Sequence, residues 1–230
     1  MEALEIKRQT VLSAELMTAV VALDHAATAC LLKRQVVVAG QKITDARALL
    51  ERVEAEFPKS RNFDGALKIK LAYLGLRRRD IRQLQDQIYD RLVPVPETSN
   101  VLMLKTELTQ EIDAKVMRTD PSRNLGRARP VDYVTWLEAQ EFCQRLSWLL
   151  GTRARLPTER EFRAALGEGD SPTWSVETAG GHSQEVGRQQ TNAAGFHDLT
   201  GNVAEWLEPA VTDAKAAPVA GGSYLDPLGP

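Results

Sequence analysis

Between Pro130 and Trp206 the sequence specifies two helix starts and one tight turn, and few backbones satisfy all three. Thr135-x-x-Glu138 and Thr158-x-x-Glu161 are capping boxes: the hydroxyl accepts from a helix amide while the glutamate reaches back to the cap amide. The first helix carries an inward stripe of Ala139, Phe142, Cys143, Leu146, Leu149 and Leu150, and Gly151 stops it. The second spans Glu159–Leu166, with Phe162, Ala165 and Leu166 inward. From Gly167 to Gly195 Gly, Ser, Thr, Gln and Asn dominate, and loops of that length in a compact domain usually bind something or are pinned by an ion. The stretch ends in Thr200-Gly201-Asn202-Val203, a Gly-Asn turn, followed by Glu205-Trp206.

Upstream the pattern is helical. Leu4, Val11, Leu12, Leu16, Val20, Leu23, Ala27 and Leu31 keep helical spacing through residues 1–33. Gln35–Val38 is β-branched and reads as a short strand or a frayed end broken by Gly40. Thr44 is expected to cap a second helix, Asp45–Phe57, which Pro58 ends. A third, long helix is expected from about Asn62 to Leu92, with Arg77, Arg78 and Arg79 on a solvated face that interrupts its seam. Residues 1–92 thus read as a helical hairpin or three-helix unit for docking or oligomerisation. Val93–Ser99, with two prolines, reads as a linker, and residues 100–230 as a second domain. There a strand is expected at Val101–Leu104, a helix at Thr109–Met117 and a strand at Val219–Tyr224. The class is α+β.

The 230 residues carry a net charge of −2, which gives no reason to expect nucleic acid. The halves differ: residues 1–95 hold 16 basic against 12 acidic side chains, the rest 13 against 19. Cys30 and Cys143 lie in helical apolar patterns and read as buried free thiols. The charged N-terminus, MEALEIKRQT, shows no signal peptide, and the run Leu16–Leu32 is too polar for a membrane span. A cytoplasmic protein is expected, and a mature fragment of an exported one fits as well.

Seven pieces of residues 98–226, in order, resemble the formylglycine-generating enzyme or sulfatase-modifying-factor family, a variant of the C-type lectin fold. They are Glu107-Leu108-Thr109-Gln110; Asp120-Pro121-Ser122-Arg123; Pro130-Val131 with Val134-Thr135-Trp136; Ala139 with Phe142-Cys143; Arg155-Leu156-Pro157-Thr158-Glu159 with Glu161-Phe162; Asn192 and Gly195-Phe196 leading to Thr200-Gly201-Asn202-Val203 and Glu205-Trp206; and Gly221-Gly222-Ser223-Tyr224. The family's opening strand segment is not found upstream and its strands would continue past Pro230, so the domain is expected to be incomplete at both ends.

The resemblance implies a loop-rich lectin-like domain, and two departures bear on its activity. Family members place a reactive cysteine shortly after the Gly-Gly-Ser segment; the aligned position here is Asp226. The iron-dependent branch uses an HxxxH-type motif, and His25, His182 and His197 do not have that spacing. No catalytic residue is therefore assigned and no redox metal is expected. The resemblance also implies a structural calcium bound by the side chains of Asp198 and Glu205 and the carbonyls of Gly201 and Val203. The residues support it independently, since two carboxylates flanking a Gly-Asn turn supply hard oxygen donors. Trp136, Trp148 and Trp206 read as core, and Trp174, inside the polar loop Ser171–Gln190, as the exposed candidate for ligand contact.

Two functions compete. One is a non-catalytic binding or scaffold pseudoenzyme, with loops presented by the lectin-like domain and a protein partner or second copy docked through residues 1–92. The other is an oxidoreductase of the formylglycine-generating or iron-dependent sulfoxide-synthase type, if the chain is a truncated piece. A variable ligand-binding protein of a diversity system is a further alternative implied by the resemblance.

Overall fold

A hairpin of long helices opens the chain. The computed structural model describes residues 1–168, 173–210 and 217–227. Ser171 at the start of the polar loop, the middle of the passage Leu207–Ala217 and the terminal Leu228-Gly229-Pro230 lie outside the described residues. Two compact units emerge: Met1–Gln85 with Leu146–Arg153, and Asp86–Arg145 with Ala154–Pro230.

In the first unit, α1 (Glu2–Leu32) buries Ser13, Met17, Val20, Asp24, Ala27 and Leu31 along one stripe. Helix α2 (Val36–Glu56) answers with Ala39, Gly40, Ile43, Ala46, Leu50 and Val53. Small residues on both stripes, Ser13 and Ala27 on α1 and Ala39 and Ala46 on α2, let the backbones approach closely. The far end of the hairpin is tied by side chains: the Asn62 amide donates to Thr10 O at 2.6 Å and to Ser13 Oγ at 3.1 Å. By length and composition α1 is apolar enough to cross a membrane. It nevertheless buries Asp24, which pairs with Lys70 Nζ at 2.8 Å.

Two expectations change here. Helix α2 begins at Val36, not after Thr44, and runs straight through Gly40. A Cβ on Gly40 would lie 3.0 Å from Arg78 Cδ, so the glycine marks a close approach and not a break. Thr44 lies inside the helix, its hydroxyl donating to Gly40 O at 2.9 Å. The expected long third helix is two: α3 (Gly65–Arg77), capped by Asp64, and α4 (Ile81–Tyr89). The apolar seam lapses between Leu74 and Ile81, and the chain turns there, with the Asp80 amide donating to Arg77 O. Arg77 itself is buried against the Tyr73 ring, whereas Arg78 and Arg79 are exposed. Gln85 is fully buried, and its amide donates to Leu31 O at 3.0 Å and Leu149 O at 2.9 Å. The last turn of α6 (Trp136–Leu150) therefore belongs to this unit, with Trp148 packed on Tyr73.

The second unit starts at Asp86 and takes in the segment read as a linker. Leu92–Pro94 forms β1, antiparallel to β2 (Leu102–Leu104), and Val95 enters the core with Phe162, Ala165, Phe196, Leu199 and Leu207. Pro94 takes the last place of a two-stranded sheet, where a missing N–H costs no ladder bond. Helix α5 (Gln110–Met117) starts at Thr109 as expected, and α7 (Glu159–Leu166) has the full capping box on Thr158 and Glu161. Strand β3 (Glu205–Trp206) pairs with β4 (Val219–Ala220). The strand expected to reach Tyr224 stops at Ala220, because Gly221 and Gly222 take φ of 92° and 70°. Such values turn the backbone out of the pleat.

Gly151 has φ of 70°, and a Cβ there would lie 2.4 Å from Thr28 O. Replacing it with alanine is expected to lower unfolding stability by about 2 kcal/mol or more, read by chemical denaturation. The Glu161 carboxylate accepts from Arg155 Nη1 at 2.7 Å and from the Thr158 amide at 2.8 Å. The Arg155 bond, foremost, brings its pKa from 4.5 down to about 2. The folded state thus holds its proton less tightly than the unfolded chain. The resulting stability is fully present above pH 4.5 and is lost as pH falls toward 2. In acid titrations followed by circular dichroism, Glu161→Gln is expected to flatten the stability profile across that window.

Candidate functional site

The segment Glu107-Leu108-Thr109-Gln110 follows β2, and three of its side chains are buried polar groups with distinct tasks. Thr109 caps α5. Gln110 staples the following loop, donating to Asn124 O at 2.8 Å and Pro130 O at 3.1 Å while its Oε1 accepts from the Gly126 amide. Glu107 reaches across the sequence to the Gly-Asn turn, where Oε2 accepts from Asn202 Nδ2 at 2.8 Å and Oε1 from the Val203 amide at 3.1 Å.

Asn202 is completely buried and has φ of 52°, a conformation that asparagine tolerates better than most residues. Besides Glu107, its side chain accepts from the Gln184 amide at 2.7 Å and donates to Gln184 O at 3.2 Å. Its backbone amide donates to Trp174 O, and its carbonyl accepts from the Tyr224 amide. One residue thereby ties together the ELTQ segment, the polar loop and the Gly-Gly-Ser segment. Gly201 beside it has φ of 82°, and a Cβ there would lie 2.3 Å from Trp174 O. The Gly-Asn order is thus required on both counts.

Of the expected calcium ligands, Asp198 sits at φ of 55° with Oδ2 accepting from the Gly187 amide at 2.6 Å. Its Oδ1 is buried without a hydrogen-bond partner among the described residues. Burial, then the charge of Asp198, raises Glu205 to a pKa of about 7. Burial foremost, then Glu205 and Asp198, raises Glu107 well above the carboxylate range. Asp198 is also raised by burial, against the pull of the Gly187 amide. Three carboxylates therefore feel one another in a dry region. Among the described residues no three acidic, histidine or cysteine side chains converge at coordinating distance. A cation would take two carboxylates at most and complete its shell with carbonyls. The carbonyls of Gly201 and Val203 accept no backbone hydrogen bond among the described residues, whereas that of Asn202 is engaged by Tyr224. The oxygen-only donor set and the orphaned Asp198 oxygen fit a hard divalent cation of the calcium type.

Trp174, expected to be exposed, is half-buried, and its indole N–H is enclosed without a partner among the described residues. Trp136 donates to Leu207 O at 3.1 Å and Trp206 to Val134 O at 3.0 Å, so these two indoles cross-link the α6 start and β3. His197 Nδ1 lies 2.9 Å from Gln189 O, away from ligand duty. Cys143 is in no disulfide, and burial pushes its thiol pKa up to about 11. Asp226, at the aligned reactive position, is engaged in a turn: its Oδ2 accepts from Ser223 N at 2.7 Å and Ser223 Oγ at 2.9 Å. Sequence reasoning passed over Glu107 as a site residue. The ELTQ piece gives no local signal for it, because its partner lies 95 residues further on.

The lock makes a direct prediction. Asn202→Ala strands the Gln184 amide and the Glu107 carboxylate, and denaturant titration is expected to show a loss of about 3 kcal/mol.

Comparison with solved structures finds Treponema denticola variable protein 1, with 24% sequence identity, a TM-score of 0.48, and coverage of 55% of this chain and 74% of that one. No curated protein sequence matches the chain. The sulfatase-modifying factor enzyme 1-like domain matches residues 82–228, more than half of the length, and takes in β1, the ELTQ segment, both capping boxes and the Gly-Asn turn. This chain belongs to the family of sulfatase-modifying factor enzyme 1-like domains.

Proposed function

We propose that this protein is a non-catalytic binding module of that family, built on a calcium-stabilised loop framework. The observation that carries the reading is the chemistry after Gly221-Gly222-Ser223. Where the resemblance places a reactive thiol, Asp226 caps a turn through Ser223. Of the two thiols present, Cys143 is held far from thiolate at neutral pH and Cys30 belongs to α1. Neither serves as a nucleophile or copper ligand beside that segment.

Binding falls to the surface that the framework presents. An open groove of about 890 Å³ runs beside the C-terminal end of α7, among Glu97, Arg160, Arg163, Gln190 and Asn192. Its floor is fixed by Asn192, whose amide donates to Ala165 O at 2.7 Å and Leu166 O at 3.1 Å. The mixed charge suits a polar ligand better than an apolar one. Docking of a protein partner or a second copy belongs to the outward face of α1, where Leu4, Val11 and Leu12 are exposed.

Calcium titration of the metal-stripped protein tests the framework. Saturating calcium is expected to raise unfolding stability by about 2 kcal/mol or more, and Asp198→Asn or Glu205→Gln is expected to abolish the increment. Incubation with a cysteine-containing sulfatase peptide, copper and oxygen is expected to leave the peptide thiol unchanged. Aldehyde formation at a rate proportional to protein would overturn the non-catalytic reading.

A further inference from the structure

The first unit has a cationic end. Three turns meet there. The Gln85 amide on Leu31 O brings the middle of α4 to the end of α1. The Arg78 side chain lies over Gly40 in the second turn of α2. Gly151 packs within contact of Thr28 O and Leu32 N, which places the turn after α6 at the same end. Together they gather Lys33, Arg34, Arg78, Arg79, Arg82 and Arg153, all exposed, with Asp80 as the acidic residue of the α3–α4 turn. Lys33, Arg78, Arg79, Arg82 and Arg153 make no ion pair among the described residues.

Large aliphatic side chains stand among these cations. Val37 is 88% exposed, Leu76 71%, Leu32 51% and Val38 49%. Helix α2 starts with three valines, and the first two turns of a soluble hairpin gain nothing by pointing Val37 and Val38 at water. Cations alone would suit any polyanion. Cations interleaved with branched aliphatics, and with no exposed aromatic ring among the described residues of this unit to stack on a base, suit an acidic lipid surface, where the apolar tips enter the interface and the charges meet headgroups.

We infer that this end of the helical unit is a peripheral docking surface for an anionic lipid bilayer. It belongs to the first unit, is separated from Leu4, Val11 and Leu12 by the length of α1, and goes beyond the binding role proposed above. The charge complementarity names the occupant. Basic residues near an acidic leaflet each contribute attraction that salt screens, and the exposed valines add contact that salt does not weaken.

Co-sedimentation of the full chain with phosphatidylcholine vesicles, with and without phosphatidylserine, tests the inference. Binding is expected to rise about tenfold or more with phosphatidylserine and to fall steeply with salt. Arg79→Glu with Arg82→Glu is expected to lose about tenfold or more; Lys33→Glu with Arg153→Glu, on different turns, should lose a similar factor. Val37→Ser with Val38→Ser is expected to weaken binding several-fold while leaving its salt dependence unchanged. Circular dichroism checks that each variant is folded. Equal binding to neutral vesicles, or charge reversals without effect, would overturn the inference. So would retention on vesicles through high salt and alkaline carbonate, which would mean that α1 inserts. Tighter binding of an oligonucleotide than of acidic vesicles, unaffected by the valine changes, would overturn it in favour of nucleic acid.

Discussion

A buried carboxylate gripping a buried amide holds the loop-rich unit together. Glu107 and Asn202 are 95 positions apart, and their 2.8 Å hydrogen bond closes a circuit through Gln184, Trp174 and Tyr224. The second unit has two short two-stranded sheets to order its loops. Side chain–backbone bonds therefore do the work that a continuous ladder does elsewhere, and a fully buried asparagine can satisfy several backbone groups at once. The same logic recurs at Gln110 and at Asn192. Each is an amide side chain that bonds the main chain on both sides and fixes a loop as firmly as a strand pair would.

The electrostatics of this circuit follow from its dryness. Burial raises all three of Glu107, Asp198 and Glu205; the other two carboxylates push Glu107 further and Asp198 pushes Glu205, and none of the three has a Lys or Arg partner among the described residues. Buried charge of one sign calls for protons or a cation. The chemistry of the family's oxidation has no counterpart in these groups, all of which are hard oxygen donors.

Much of the candidate site was legible before any coordinates. Thr158 and Glu161 announce α7 through a local rule, and Thr109 announces α5 in the same way. The Gly-Asn turn was legible because left-handed φ values at Gly201 and Asn202 leave few alternatives. Glu107 was not legible as a site residue, since a lone glutamate before a helix cap shows nothing of a partner 95 residues on. Trp174 misled for the same reason. Its polar neighbours suggest an exposed loop, while its backbone is held against Gly201 and Asn202, residues distant in sequence.

The sequence by itself determined the starts of α5, α6 and α7, the Gly-Asn turn and the family, because caps, turns and motif order depend on residues within a few places of one another. Only the tertiary structure decided where helices end and which segments are free. Gly40 reads as a breaker until the Arg78 side chain is laid over it. The run from Asn62 reads as one helix until a lapse in the seam lets it turn at Asp80. Val93–Ser99 reads as a linker until Val95 is seen inside a core. In each case local propensity was outweighed by packing against residues distant in sequence, and those contacts exist only in the folded state.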